Sequence, residues 1–315
     1  MQGEKCVIPN TIHFIFGMNK DFGGKPFSFI HYMAVYTAWK INRPDKILFH
    51  YAFEPDGYWW EQARPFLTLN QVEAPDTIFG NPIKYYAHKA DVVRLEVLSK
   101  YGGIYLDLDV ICINSFRPLL QHDCVLGIEP SDRHGSGGLS NAVILSKADS
   151  EFLSTWYGRY KDFDGRSHIG HSVKLPWMLA NDHSSLIHIE DEYSFCYPFA
   201  SDHTATHHFW FSSFPLRLRL LLVSKALVAR ALAGKGRGNT RPAPLRLAHV
   251  MHTKRWHHAK HSKSFCVHLW EARWWEPYLK HLSPEYILNE SSNFAVLMRS
   301  IIGREELLAM CKWNG

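Results

Sequence analysis

Apolar positions along this chain switch between two rhythms. Residues 7–17 (VIPNTIHFIFG) turn at Pro9-Asn10 and continue as a β-rich run, suited to the first strand of a parallel sheet. Residues 29–40 place Tyr32, Tyr36 and Trp39 on one side of a helix. Arg43-Pro44-Asp45 ends that helix, and residues 46–53 (KILFHYAF) form a second predicted strand. A helix over 59–69 and a short strand over 71–74 follow. From 90 to 99 the rhythm is helical again, with Asp91, Arg94, Leu95 and Leu98 on one face. Gly102-Gly103 comes next, where a helix C-cap needs a residue tolerant of positive φ. Residues 104–113 are a β-branched and aliphatic run that reads as one strand buried on both sides. This β-α-β-α-β alternation predicts an α/β sheet with right-handed crossovers. Ligands of such sheets sit beyond the carboxyl ends of the strands, so Gly17 and Asp109 are expected to line one crevice.

Beyond Ser115 the pattern loosens. Residues 123–129 (DCVLGIE) and 141–146 (NAVILS) read as paired strands around a glycine-rich link, Gly135-Ser136-Gly137-Gly138. Helices are expected over 150–161 and 172–180, and a short strand over 185–190. Residues 201–214 are irregular and rich in histidine and aromatics. Residues 216–233 are cationic and amphipathic, with Arg217, Arg219, Lys225 and Arg230 among leucines and valines. Two readings stand level: a core-packed helix with snorkelling cations, or an interfacial helix on anionic lipid. A tract GKGRGNTRPAP follows, then an apolar, aromatic segment over 266–275 (CVHLWEARWW). One or two covering helices are expected over 284–314.

Composition narrows the class. The chain has 315 residues, 46% hydrophobic, enough for a large core or two lobes. Its net charge is +5, with much of the basic excess between Arg217 and Lys263, and nucleic acid is not an expected partner. Six scattered cysteines without a C-x-x-C pair exclude a disulfide framework or a zinc ribbon. No secretory leader and no run of about 18 apolar residues is present, so a cytoplasmic protein is expected, peripheral on a membrane if 216–233 docks there.

Candidate chemistry concentrates at two aspartates. In a strand Asp107 and Asp109 emerge on one face, roughly 7 Å apart. Two carboxylates there repel each other and lose solvation, and a divalent cation is the simplest compensation. The spacing is not an EF-hand, since no third acidic position follows. Asp91 and Arg94 are either a local ion pair or sugar contacts at the crevice. His203, His207, His208, His257, His258 and His261 read as surface or loop histidines, because H-E-x-x-H is absent. Gly135 to Gly138 matches neither phosphate-loop pattern and reads as a mobile acceptor-side loop.

The string ADVVRLEVLSKYGGIYLDLDV resembles the signature of the D-x-D sugar-binding glycosyltransferases of family 32. These include initiating α-mannosyltransferases and α-1,4-galactosyltransferases, and the glucosylating clostridial toxins share a related core. IPNTIHFIFG is similar to the family's opening strand, with Phe16 where tryptophan is frequent. SNAVILSKADSEFL and VHLWEARW are similar to its later segments, whereas Ile169-Gly170-His171 departs from a frequent Gly-Pro. The resemblance implies a GT-A fold, a nucleotide-sugar donor, Mn²⁺ or Mg²⁺, and retention of anomeric configuration. It implies Asp109 as direct metal ligand, Asp107 at ribose or sugar and the metal, and His268 beside metal and diphosphate. Asp91 and Arg94 would orient the donor sugar, His13, Phe16 and Trp270 would contact the nucleotide, and Asn141 would sit near donor sugar or acceptor. Glu129, at a strand end, is a weak candidate nucleophile, so same-face attack is the default.

The expected layout is one GT-A-like domain. It has a nucleotide-sugar half (1–114), an acceptor half (115–200), a basic helical insertion (201–262) and a closing segment with C-terminal helices (263–315). The expected reaction moves a hexose from a UDP- or GDP-sugar to a glycan or lipid-linked acceptor. The rivals are a toxin-like protein glycosyltransferase and a non-catalytic sugar- or nucleic-acid-binding module.

Overall fold

The computed structural model describes residues 7–130, 137–199 and 264–312. The chain divides into two compact units, Met1–His203 with Ser264–Ser283 and Thr204–Lys263 with Pro284–Gly315. The described strands are β1 (Thr11–Phe16), β2 (Lys46–Tyr51), β3 (Thr68–Gln71), β4 (Thr77–Ile78), β5 (Asn81–Pro82), β6 (Gly103–Leu106), β7 (Val110–Cys112), β8 (Cys124–Glu129), β9 (Gly138–Ser146), β10 (His188–Glu190) and β11 (Cys266–His268). The first unit also holds α1 (Phe29–Asn42), α2 (Tyr58–Ala63), α3 (Tyr86–Tyr101), α4 (Glu151–Gly158), α5 (Leu175–Asp182), α6 (Glu192–Phe195) and α7 (Glu271–Trp274).

The main sheet runs β10-β8-β9-β6-β1-β2-β3. β1 pairs in parallel with β2 and β6, β2 with β3, and β10 with β8, while β9 is antiparallel to β6 and β8. This is the mostly parallel, helix-flanked sheet expected of a GT-A fold. All six residues of β1 are buried, as a central parallel strand requires. α3 lays Val92, Leu95 and Leu98 into a core with Tyr105, Leu126, Ile144, Phe152 and Trp156. Leu95 and Leu98 are fully buried, and each is worth about 2–5 kcal/mol against alanine.

The passage from α3 into β6 is tightly specified. Gly102 (φ +61) caps α3 and Gly103 (φ +117) opens β6. A Cβ at Gly103 would lie 2.4 Å from the Thr11 carbonyl oxygen and 2.8 Å from His13 Nε2. A relay of side chains pins the same point. Asn70 Nδ2 donates to His50 Nδ1 at 2.8 Å, His50 Nε2 meets His13 Nδ1 at 3.0 Å, and His13 Nε2 meets the Gly102 oxygen at 2.8 Å. The amide donor and the carbonyl acceptor at its ends fix both tautomers, so each histidine is neutral and donates through Nε2. Burial pushes His13 down to about 4 and His50 to about 3.

Several boundaries differ from expectation. The predicted strand over 104–113 is two strands. After β6 the Asp107 N–H pairs with the Ala142 oxygen, and the Val110 N–H closes back on the Asp107 oxygen at 3.0 Å. β7 then leaves the main sheet to pair antiparallel with β11. The two aspartates therefore sit on a turn and not on one strand face. α2 ends at Ala63, and Leu69 belongs to β3, which stops at Gln71. The expected 71–74 strand lies instead at 68–71.

In the second unit α8 (Pro284–Asn289), α9 (Asn293–Ile302) and α10 (Arg304–Lys312) replace the one or two helices expected. The Ser292 hydroxyl caps α9 by accepting the Ala295 N–H at 3.1 Å, and Gly303 ends it. α8 packs on both neighbours through Ile287, Met298 and Leu307. Among the described residues no helix is long and apolar enough to cross a membrane. Residues 135–136, 201–214 and 216–233 and the histidines between 203 and 261 lie outside the described residues.

Candidate active site

Two sets of side chains meet where β6 ends. The first comes from α3, where Asp91 and Arg94 are 6% and 5% exposed. A guanidinium so buried needs its donors met. Arg94 Nη2 lies 3.3 Å from Asp91 Oδ1, and Nη1 lies 3.3 Å from Asp107 Oδ1. Nη1 also donates to the Asn141 carbonyl at 2.7 Å, and Nε to the Ala90 carbonyl at 3.3 Å. The guanidinium rests over the Tyr105 ring, 4.5 Å from its centroid. Asn141 Nδ2 donates to Asp91 Oδ1 at 2.7 Å, and the Tyr105 hydroxyl to Asp107 Oδ1 at 2.5 Å. The local Asp91–Arg94 pair thus exists, and it is one edge of a network that reaches Asp107.

The second set gathers on Asp109. Its Oδ2 accepts the Glu271 N–H at 2.6 Å and lies 3.4 Å from His268 Nε2. The Glu271 carboxylate reaches His31 Nε2 at 3.1 Å and Lys25 Nζ at 3.4 Å. His31 Nδ1 accepts the Ser28 N–H at 2.9 Å, so its Nε2 carries the proton toward Glu271. One ligand atom each from Asp107, Asp109 and His268 lie within 4.8 Å of one another. Asp91, Asp107 and Asp109 each have Oδ1 or Oδ2 fixed as above. The other oxygen of each makes no hydrogen bond or ion pair among the described residues. Two carboxylate oxygens and an imidazole nitrogen suit Mg²⁺ or Mn²⁺, with Mn²⁺ the better match to mixed oxygen and nitrogen donors.

Electrostatics keep the two D-x-D carboxylates unlike. Burial would raise Asp109, but His268 and the Glu271 N–H outweigh it and hold it at about 2. Burial pushes Asp107 up against the pull of Arg94, and Asp109 adds to the rise. Burial would lower His268, yet Asp109 holds it well above the usual imidazole range. A cation held by Asp109 and His268 would compete with protonation of His268.

The remaining predicted residues fall in different places. His13 is fully buried with both ring nitrogens engaged, and it anchors the entry into β6. Phe16 is 6% exposed, stacked under the half-buried Phe22 at 5.6 Å and edge-on to Phe27, so its face is already covered. Trp270 stacks on His268 at 4.0 Å and donates Nε1–H to the Pro198 oxygen at 2.5 Å. Glu129 is half-buried at the end of β8, and burial pushes it up against the opposing pull of His268. A cavity of about 850 Å³ opens beyond the carboxyl ends of β1, β2 and β3, lined by Met18, Ala52, Phe53, Val72 and Lys89. Sequence reasoning missed Tyr105, His31, Lys25 and Glu271. Tyr105 lies two residues before Asp107, a spacing that carries its hydroxyl back to the carboxylate. Glu271 holds Asp109 through its backbone N–H, a contact that leaves no residue-type signal.

Residues 33–126 match the model of the glycosyltransferase sugar-binding region containing a DXD motif, a span that includes Asp91, Arg94, Asp107 and Asp109. The chain is 35% identical over 216 residues to glucan organizing enzyme 1 of Cryptococcus neoformans var. grubii, across 64% of this chain and 59% of that protein. Over 69 residues it is 45% identical to inositol phosphoceramide mannosyltransferase 3 of Schizosaccharomyces pombe, across 22% of this chain and 18% of the relative. The chain thus spans less than two thirds of the length of either relative. Mouse xyloside xylosyltransferase 1 has a similar structure, with a TM-score of 0.39 and 13% identity over 58% of this chain and 85% of that one. Residues 33–126, with the α3 and D-x-D residues among them, thus form a glycosyltransferase sugar-binding region of the DXD type, and the chain is similar over a longer span to a glucan organizing enzyme.

Proposed function

We propose that the protein is a retaining, metal-dependent glycosyltransferase that moves a hexose from a UDP- or GDP-sugar to a glycan or lipid-linked acceptor. The observation that carries this reading is the convergence of the Asp107–Asp109–His268 cluster with the Asp91–Arg94–Asn141 network at one end of the sheet. Asp109, Asp107 and His268 would hold Mn²⁺ or Mg²⁺. The bound cation would offset negative charge growing on the departing nucleoside diphosphate. Asp91 would accept sugar hydroxyls through its free oxygen. Arg94, whose donors are largely spoken for, would fix Asp91, Asn141 and Asp107 in register before the donor arrives. The cavity beyond β1–β3 would take the nucleoside, in keeping with ligand placement in open α/β sheets. Same-face attack by the acceptor hydroxyl would give retention without a covalent intermediate.

The fission-yeast relative is an inositol phosphoceramide mannosyltransferase, which favours a lipid-linked acceptor here. Docking of residues 216–233 on an anionic surface would suit such an acceptor. A hydrolysis screen of UDP- and GDP-sugars with Mn²⁺ or Mg²⁺, read as free nucleoside diphosphate, tests the reading. At least one donor should turn over and stop with chelator. No turnover of any donor with either metal would reject it.

A further inference from the structure

Lys25 plays no part in the network that holds Asp107, yet it is tied to Asp109. Its Nζ lies 3.4 Å from Glu271 Oε2 and 5.6 Å above the Trp275 ring. The other Glu271 oxygen is bonded to His31, and the Glu271 N–H holds Asp109 Oδ2. One residue thus fastens a lysine from the β1–α1 connection to the turn that presents Asp109. The connections after parallel strands are where open α/β sheets receive ligands. The Lys25 side chain is 25% exposed, so its ammonium is not sealed into the pair with Glu271.

We propose that Lys25 is a counter-ion for the diphosphate of the donor, and that Glu271 holds its ammonium beside Asp109 until the diphosphate displaces it. The proposal rests on the transferase reading above. A lone carboxylate at a partly exposed site binds an ammonium weakly. A diphosphate brings more charge and more acceptor oxygens. Lysine suits such an exchange, being a compact charge on a flexible stem. Glu271 keeps its bond to His31 and its N–H on Asp109 when Lys25 departs, so the turn stays in place.

The test is calorimetric titration of UDP, GDP, UMP and GMP, each with Mn²⁺, into the wild type, Lys25→Ala, Lys25→Arg and Glu271→Gln. Lys25→Ala should weaken binding of the preferred diphosphate by about tenfold to a hundredfold, and of its monophosphate by less. Lys25→Arg should recover most of the loss. Glu271→Gln removes the competing charge and should bind the diphosphate more tightly. Unchanged diphosphate affinity in Lys25→Ala, or an equal loss for mono- and diphosphate, overturns the role of Lys25. Weaker diphosphate binding by Glu271→Gln overturns the role of Glu271. A wild type that binds neither UDP nor GDP overturns the transferase reading itself, and this proposal with it.

Discussion

Arg94→Ala is the most informative single perturbation of the α3 network. The substitution removes the counter-charge of the buried Asp91 and the half-buried Asp107, and leaves the Asn141 carbonyl without its donor at 2.7 Å. Breaking a buried pair from one side costs about 3–5 kcal/mol, because the stranded partner keeps its desolvation penalty. Stripping the guanidinium from the Tyr105 face adds to this loss. Against a typical total stability of about 5–15 kcal/mol, the variant should fold with a much reduced margin. Urea unfolding followed by circular dichroism measures the loss directly, and the melting point should fall by about 5–8 °C. Arg94→Lys keeps the charge without the planar fork, so it should recover only part of the loss. A loss under about 1 kcal/mol for Arg94→Ala is what an exposed i,i+3 pair would give, and it would refute this reasoning.

Two further outcomes are expected. Folding lowers His13 to about 4 and His50 to about 3, so below pH 6.5 the unfolded chain takes up protons that the folded one refuses. Stability should therefore fall as pH drops from about 6.5 toward 4, with His13 alone accounting for about 3 kcal/mol. Urea midpoints that stay level from pH 7 to pH 4.5 would contradict the neutral relay. Separately, deletion of residues 216–244 should reduce co-sedimentation with phosphatidylserine vesicles, and unchanged co-sedimentation would remove the membrane reading.

Much of the stretch from residue 7 to 114 was legible because its rhythms are long and clean. β1, α1, β2 and α3 appear where their apolar periods fall, with α1 and α3 extending a turn or less past the predicted ends. The break after Leu106 was not legible. IYLDLDVICI reads as one strand, and the turn at Asp107 is imposed by β11, a partner more than 150 residues downstream in sequence. Histidine type alone did not announce the His13 relay, which depends on His50 and Asn70 lying on the next two strands, a fact of sheet order. Spacing placed Asp91 and Arg94 on one face, but not the Asn141 amide and the Tyr105 ring that complete their surroundings. No local pattern announces that Phe22 folds back over Phe16.

The central claim is that Asp107, Asp109 and His268 form a divalent-cation site. Calorimetric titration of Mn²⁺ in the presence of saturating UDP or GDP tests it most directly, comparing the wild type with Asp109→Asn. An asparagine oxygen there still accepts the Glu271 N–H, so the fold should survive while the charged ligand is lost. The account predicts one Mn²⁺ per wild-type chain, bound more tightly as pH rises because the His268 proton must leave, and no measurable binding by the folded variant. Equal Mn²⁺ affinity in the two proteins would contradict it.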